Sequence, residues 1–253
     1  MNQFTVRDVQ SIPRIRHDEA MRLAKTENER FADLLESLDP AAWSKPTDCS
    51  RWSVKDIAAH VVGSAAAQAS PREFVRQVRQ GRRLLPEIKD GKWWDGMNEL
   101  QVVERRSMSG ADVSRAWTPA AERALTARRR LPRPVARLPL LPLPDPVGRQ
   151  PVSYLFDAGF TRDVWMHRID IARASDQVFV ADGAHDGRLL EDVVAEWAAT
   201  HGEPFDLILT GEAGGHYTSG SAGERVELDA IDFARTLAGR ATGDGLLRHP
   251  LPL

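Results

Sequence analysis

The chain has 253 residues, 42% hydrophobic and 28% charged, with a formal net charge of −2. That is enough apolar material for a packed core, which excludes global disorder, and the near-neutral balance offers no general attraction to nucleic acid. The single cysteine, Cys49, excludes an intrachain disulfide and a four-cysteine zinc site, and suits a reducing, cytoplasmic setting.

In chain order, the opening MNQFTVRDVQ lacks an apolar run behind a basic start and does not read as a signal peptide. Nowhere does the sequence approach the roughly 18 consecutive apolar residues that span a bilayer, so no membrane partner is expected. Residues 17–38 predict a helix, because Ala20, Ala24, Glu27, Phe31, Leu34, Leu35 and Leu38 recur at three- and four-residue steps. A second helix starts at Ser53, with Asp56 three residues on as an approximate capping box and Trp52 placed to staple onto its stripe. Ser70-Pro71 opens a short basic helix carrying Arg72, Arg76, Arg79, Arg82 and Arg83. Residues 92–108 are expected to be helical with Gly110 as the stop, and 112–130 helical with a restart or kink at Pro119.

Residues 131–151 hold seven of the 16 prolines and predict an extended crossover between bundle helices. The strong helix SYLFDAGFTRDVWMHRIDIARA follows. The first 180 residues therefore predict four main helices plus one or two short ones. Beyond Asp182 the character changes. A helix over 185–200, three short strands (FDLILTG, GHYTSG and ERVELDA) and a helix over 230–240 predict a small α+β unit with an antiparallel sheet. The fold class expected is mainly α, a four-helix bundle over 1–181 followed by a small α+β domain over 182–253. Charge follows the same division: 13 acidic and 5 basic residues after position 181 leave −8 there and +6 before it. That split supports two domains of opposite field, or a basic first domain that takes an anionic ligand.

Of seven histidines, only His60 and His167 lie on the apolar stripes of the bundle helices the sequence predicts. Asp163 precedes His167 by four residues, so the two share a helix face. With His60 from a facing helix they make two nitrogens and one oxygen, a set suited to zinc, iron or nickel with a coordination position left open. The same spacing also serves an ordinary hydrogen bond, and a histidine on an apolar face is often a satisfied core residue, so the residues alone leave both readings open. Asp170 is placed either to orient His167 or to pair at the surface. Asn98 and Gln101 are expected on a solvated face, the arginines of 72–83 on a solvated basic face, and Cys49 as a passive small residue. No dinucleotide, P-loop or nucleophile-elbow motif is present.

RWSVKDIAAHVVG (51–63), MNELQVVERR (97–106), TRDVWMHRIDIARA (161–174) and LDAIDFARTLAGRATGDGLLRHPLPL (228–253) resemble, in order, the DinB-like mycothiol-dependent maleylpyruvate isomerase family. The resemblance implies a DinB-like metal-binding bundle with a C-terminal domain similar to sterol carrier proteins. It implies a divalent metal, usually zinc, on His60, Asp163 and His167, and mycothiol as cosubstrate. The family pattern has glutamate where this chain has Asp163, so closer helices, a bridging water or a weaker site is expected. Arg240, in AGRATG, resembles a phrase ending the family's C-terminal domain and is a candidate cosubstrate contact; no acid, base or nucleophile is singled out. The implied function is an enzyme adding a metal-bound thiolate to a small electrophile, as a thiol transferase or a thiol-assisted cis–trans isomerase, acting as monomer or homodimer. The alternative is a non-catalytic carrier for an apolar small ligand.

Overall fold

The computed structural model describes residues 5–88, 91–143 and 147–253. They form two compact units: one from Ala20–Val135 and Asp163–Phe179, the other from the described residues up to Glu19, Ala136–Arg162 and Val180–Leu253.

The first unit is helical. α1 (His17–Ser37), α2 (Val54–Ala69), α3 (Pro71–Gly81), α4 (Trp93–Glu104) and α5 (Gly110–Arg129) precede a single helical turn, α6 (Arg133–Ala136), and α7 (Phe160–Ala174) returns to the bundle. Starts follow their caps. Ser53 accepts from the Asp56 amide while Asp56 accepts from the Ser53 amide, and Ser70 caps α3 with Pro71 at its first position. Gly110 does not stop α4; it is the first residue of α5, because Ser109 and Asp112 form a further capping box. Pro119 lies inside an uninterrupted helix rather than at a restart.

The core is shared by α1, α2, α5 and α7, through Phe31, Leu35, Val54, Ile57, Val61, Val113, Trp117, Val164 and Ile171. α3 and α4 pack on each other and on α2. Glycines allow that approach: a Cβ on Gly63 would lie 2.5 Å from the Cβ of Gln101. A buried ion pair ties α7 to α1, with Arg168 Nε donating to Glu27 Oε1 at 2.6 Å and its Nη2 to Oε2 at 3.2 Å.

The second unit holds a four-stranded sheet ordered β1-β5-β4-β6, from β1 (Val6–Asp8), β4 (Phe205–Thr210), β5 (Gly215–Ser219) and β6 (Glu224–Asp229). Only β4 and β5 are antiparallel; β1 runs parallel to β5, and β6 parallel to β4. The expected antiparallel sheet is thus a mixed one, and its N-terminal strand was not foreseen because three exposed residues carry no alternation. α8 (Asp186–His201) and α9 (Ala230–Leu237) supply the core with Trp197, Val193, Phe233 and Leu237 against Phe205, Leu207 and Leu209.

The proline-rich connection is only partly extended. It contains α6 and a small hairpin of β2 (Leu141–Pro142) and β3 (Arg149–Gln150); Pro144 and Pro146 lie outside the described residues. The segment Tyr154–Gly159 ahead of α7 is helical in the wider π form. Tyr154 Oη donates to Glu196 Oε1 at 2.6 Å, and the fully buried Arg162 pairs with Asp192 at 2.6 Å and with Glu196. Burial holds the Tyr154 hydroxyl well above its ordinary pKa. No described helix is long and apolar enough to cross a membrane.

Candidate metal centre

α2 and α7 place the site. His60 follows Ile57 on α2, and Asp163 and His167 occupy successive turns of α7. Both imidazoles are almost fully buried, at 2% and 5% exposure. Their rings stand edge to face with centroids 5.0 Å apart. His60 Nε2 lies 3.4 Å from Asp163 Oδ2, and His167 Nε2 lies 3.6 Å from Asp163 Oδ1. One ligand atom from each of His60, Asp163 and His167 falls within 4.8 Å of the others. Asp163, though one methylene shorter than glutamate, brings a carboxylate oxygen within 3.6 Å of each imidazole's Nε2.

The opposite ring nitrogens are engaged elsewhere. His60 Nδ1 is 2.7 Å from Gln101 Oε1, and His167 Nδ1 is 3.1 Å from Asp170 Oδ2. An amide oxygen and a carboxylate only accept, so in the neutral rings both Nδ1 atoms carry the hydrogen and both Nε2 lone pairs face Asp163. His60 Nε2 is buried and has no hydrogen-bond partner among the described residues. A buried polar atom left so costs about 1–3 kcal/mol. Two imidazole lone pairs around one carboxylate form a donor set with no shared proton, which is what a divalent cation requires of its ligands. The residues present therefore fit a divalent metal.

The surroundings correct several expectations. Gln101 is not on a solvated face; it is fully buried against His60. Asp170 is not a surface residue either, at 1% exposure, and it orients His167. Trp52 does more than staple the helix. Its ring lies 5.0 Å from that of His60, and its Nε1 donates to Glu99 Oε2 at 3.3 Å. The loop before α2 holds it there, through Thr47 Oγ1 donating to the Trp52 carbonyl at 2.8 Å and the Val54 amide to Lys45 at 3.0 Å. Cys49 is half-buried and directs its thiol at Asp170 Oδ2, 3.5 Å away.

Other candidates lie outside this cluster. Arg72, Arg79, Arg82 and Arg83 are exposed, as a solvated basic face requires. Arg76 instead bonds Glu73 and Glu104. Asn98 is half-buried on α4. Arg240 is half-buried in the other compact unit, where it donates to the Ala238 carbonyl at 2.8 Å. Gln77 escaped the sequence reading altogether. Its one available signal is that it is an uncharged residue set among arginines on α3, and it is fully buried.

Comparison with known proteins bears on the family and the fold. The family model for the mycothiol maleylpyruvate isomerase N-terminal domain matches residues 24–172, more than half of the chain. Two similar solved structures are the mycothiol-dependent maleylpyruvate isomerase, at 18% identity, and a histidine-to-alanine mutant of it, at 17%. Both superpose with a TM-score of 0.58; coverage is 94% of each chain for the former and 93% for the latter, so the fold is shared end to end. No curated protein gives a significant sequence match.

Proposed function

The chain belongs to the mycothiol maleylpyruvate isomerase N-terminal domain family, and from that premise we propose that it is a divalent-metal- and mycothiol-dependent enzyme adding the thiol to a small electrophile. The product is either the conjugate, as in a thiol transferase, or the rotated substrate after the thiol leaves, as in cis–trans isomerisation. The observation that carries this reading is the buried His60 Nε2, without a hydrogen-bond partner among the described residues and aimed at Asp163 beside His167.

In this proposal His60, Asp163 and His167 hold the divalent metal; the two-nitrogen, one-oxygen donor set suits zinc, iron or nickel, and the family resemblance favours zinc. When bound, a divalent ion lowers the pKa of a thiol and supplies a Lewis acid at an open position. Asp170 and Gln101 keep both Nε2 lone pairs turned to the site. The Trp52 ring packs against that of His60 on one side of the site. Cys49 points its hydrogen at Asp170, so the reacting sulfur comes from the cosubstrate and not from the chain. The helical unit carries the metal chemistry, and the unit built around residues 182–253, which also takes in β1 and Ala136–Arg162, is the sterol-carrier-like one. The enzyme works in the cytoplasm as a monomer or homodimer.

Metal analysis of the full chain purified without chelator, followed by thiol-dependent conjugation of a generic electrophile, tests the reading. His167→Ala is expected to lose both metal and activity while remaining folded, and Asp163→Glu to retain or tighten metal binding. Full metal content in His167→Ala would overturn the proposal in favour of a carrier of apolar ligands.

A further inference from the structure

A buried chain of amides runs from α3 through α4 to His60, and its polarity is determined at one end. Gln77 Nε2 lies 3.1 Å from the Gly63 carbonyl oxygen and 2.9 Å from Glu73 Oε1. A carbonyl only accepts, and so does an ionised carboxylate. Glu73 is kept ionised by the hydrogen bonds of Arg76, which lower its pKa. Both amide hydrogens of Gln77 are therefore committed, and its Oε1 must face Gln101. Gln101 Nε2 donates to that oxygen at 2.7 Å, which leaves Gln101 Oε1 for His60 Nδ1, also at 2.7 Å. Turning either amide would set donor against donor or acceptor against acceptor among residues that are fully buried.

We propose that Gln77 and Gln101 are positioning residues which, through this relay, hold His60 as the Nδ1–H tautomer and so keep its Nε2 lone pair directed at Asp163. The inference deepens the metal-site reading and rests on it for its consequence in affinity, but the tautomer is a property of the metal-free chain. Gly63 belongs to the same device. Its carbonyl anchors Gln77, and its missing side chain admits Gln101.

The test uses the full chain, stripped of metal, with histidine labelled by nitrogen-15, at a pH where imidazoles are neutral. Long-range proton–nitrogen correlation spectra distinguish a protonated ring nitrogen from a lone-pair nitrogen. Wild type is expected to show His60 as Nδ1–H. Gln101→Met, which keeps length but no polar atom, and Gln77→Met are expected to move the population toward Nε2–H. Gln101→Glu restores an acceptor at His60 Nδ1, while losing the donor that Gln77 Oε1 accepts from, and should restore Nδ1–H without restoring wild-type stability. Zinc affinity, read by competition with a chromophoric chelator, should fall about 10–100-fold in Gln101→Met, the usual loss when a ligand's orienting partner is removed. A wild-type His60 in the Nε2–H form, or an unchanged tautomer in Gln101→Met, overturns the proposal. A wild type in the Nδ1–H form that binds no zinc upholds the relay and removes the metal-site reading instead.

Discussion

Gly63→Ala adds a single methyl group at the point where α2 meets α4. Its carbon would sit 2.5 Å from Gln101 Cβ, 2.6 Å from Gln101 Cγ and 2.8 Å from Arg105 Nη1. Non-bonded carbons rest at about 3.5–4.0 Å, so the clash needs roughly 1 Å of relief. The crowded atoms adjoin the α4 backbone, so the helix must retreat; a rotamer change does not suffice. That retreat stretches the 2.7 Å contact between His60 Nδ1 and Gln101 Oε1 to about 3.7 Å, which is no longer a hydrogen bond. Three effects compete. Alanine gains about 1 kcal/mol over glycine inside a helix. Overpacking costs about 1–3 kcal/mol, and orphaning the buried pair costs a further ~1–3 kcal/mol. The expected net loss is about 1–5 kcal/mol, read as a lower urea midpoint at unchanged slope. Zinc affinity should fall about 10–100-fold as His60 loses its orienting partner. An alanine variant at least as stable as wild type, with undiminished affinity, would refute the reasoning: helix propensity would then outweigh the contact, and α4 would not be what orients His60.

Two further outcomes are expected. Trp117 is 2% exposed, stacks edge-on against Phe31 at 5.0 Å and donates to the Asn28 carbonyl at 3.0 Å, so Trp117→Ala should cost about 3–5 kcal/mol in denaturant unfolding. In the other unit, burial first and the neighbouring His249 second push His201 below its ordinary 6.5. A histidine whose folded value is depressed leaves stability intact above 6.5, and stability is lost as pH falls through the folded value beneath it. Thermal melts should therefore decline below about pH 6.5 in wild type, and less steeply in His201→Phe; equal slopes would refute this.

Much of the bundle was legible locally. The stripe of α1 from Ala20 to Leu35, the capping box at Ser53 and Asp56, and the Ser70-Pro71 start each place a helix without reference to the rest of the chain. Gly110 opens α5 against glycine's usual preference for the position just past a helix end, because the Ser109–Asp112 capping box decides the boundary. Asp163 and His167 were legible as a pair, since four residues of helix put them on one face. Their convergence with His60, 103 positions upstream of Asp163 along the chain, was carried by resemblance and not by local rules.

What the sequence determined by itself is therefore what repeats within one or two turns: helix starts, buried faces and the Asp163–His167 spacing. The tertiary structure alone decided which polar residues are buried. Gln77 and Gln101 look like solvated glutamines beside arginines and glutamates, yet the close approach of α3, α4 and α2 at Gly63 places them against each other and against His60. Likewise β1, three exposed residues without alternation, became a sheet strand only because the edge of β5 offered it partners. The physical reason is common to both. Periodicity and capping are set by neighbours in the chain, whereas the donor or acceptor a buried amide or a strand edge must satisfy is presented by a segment remote in sequence.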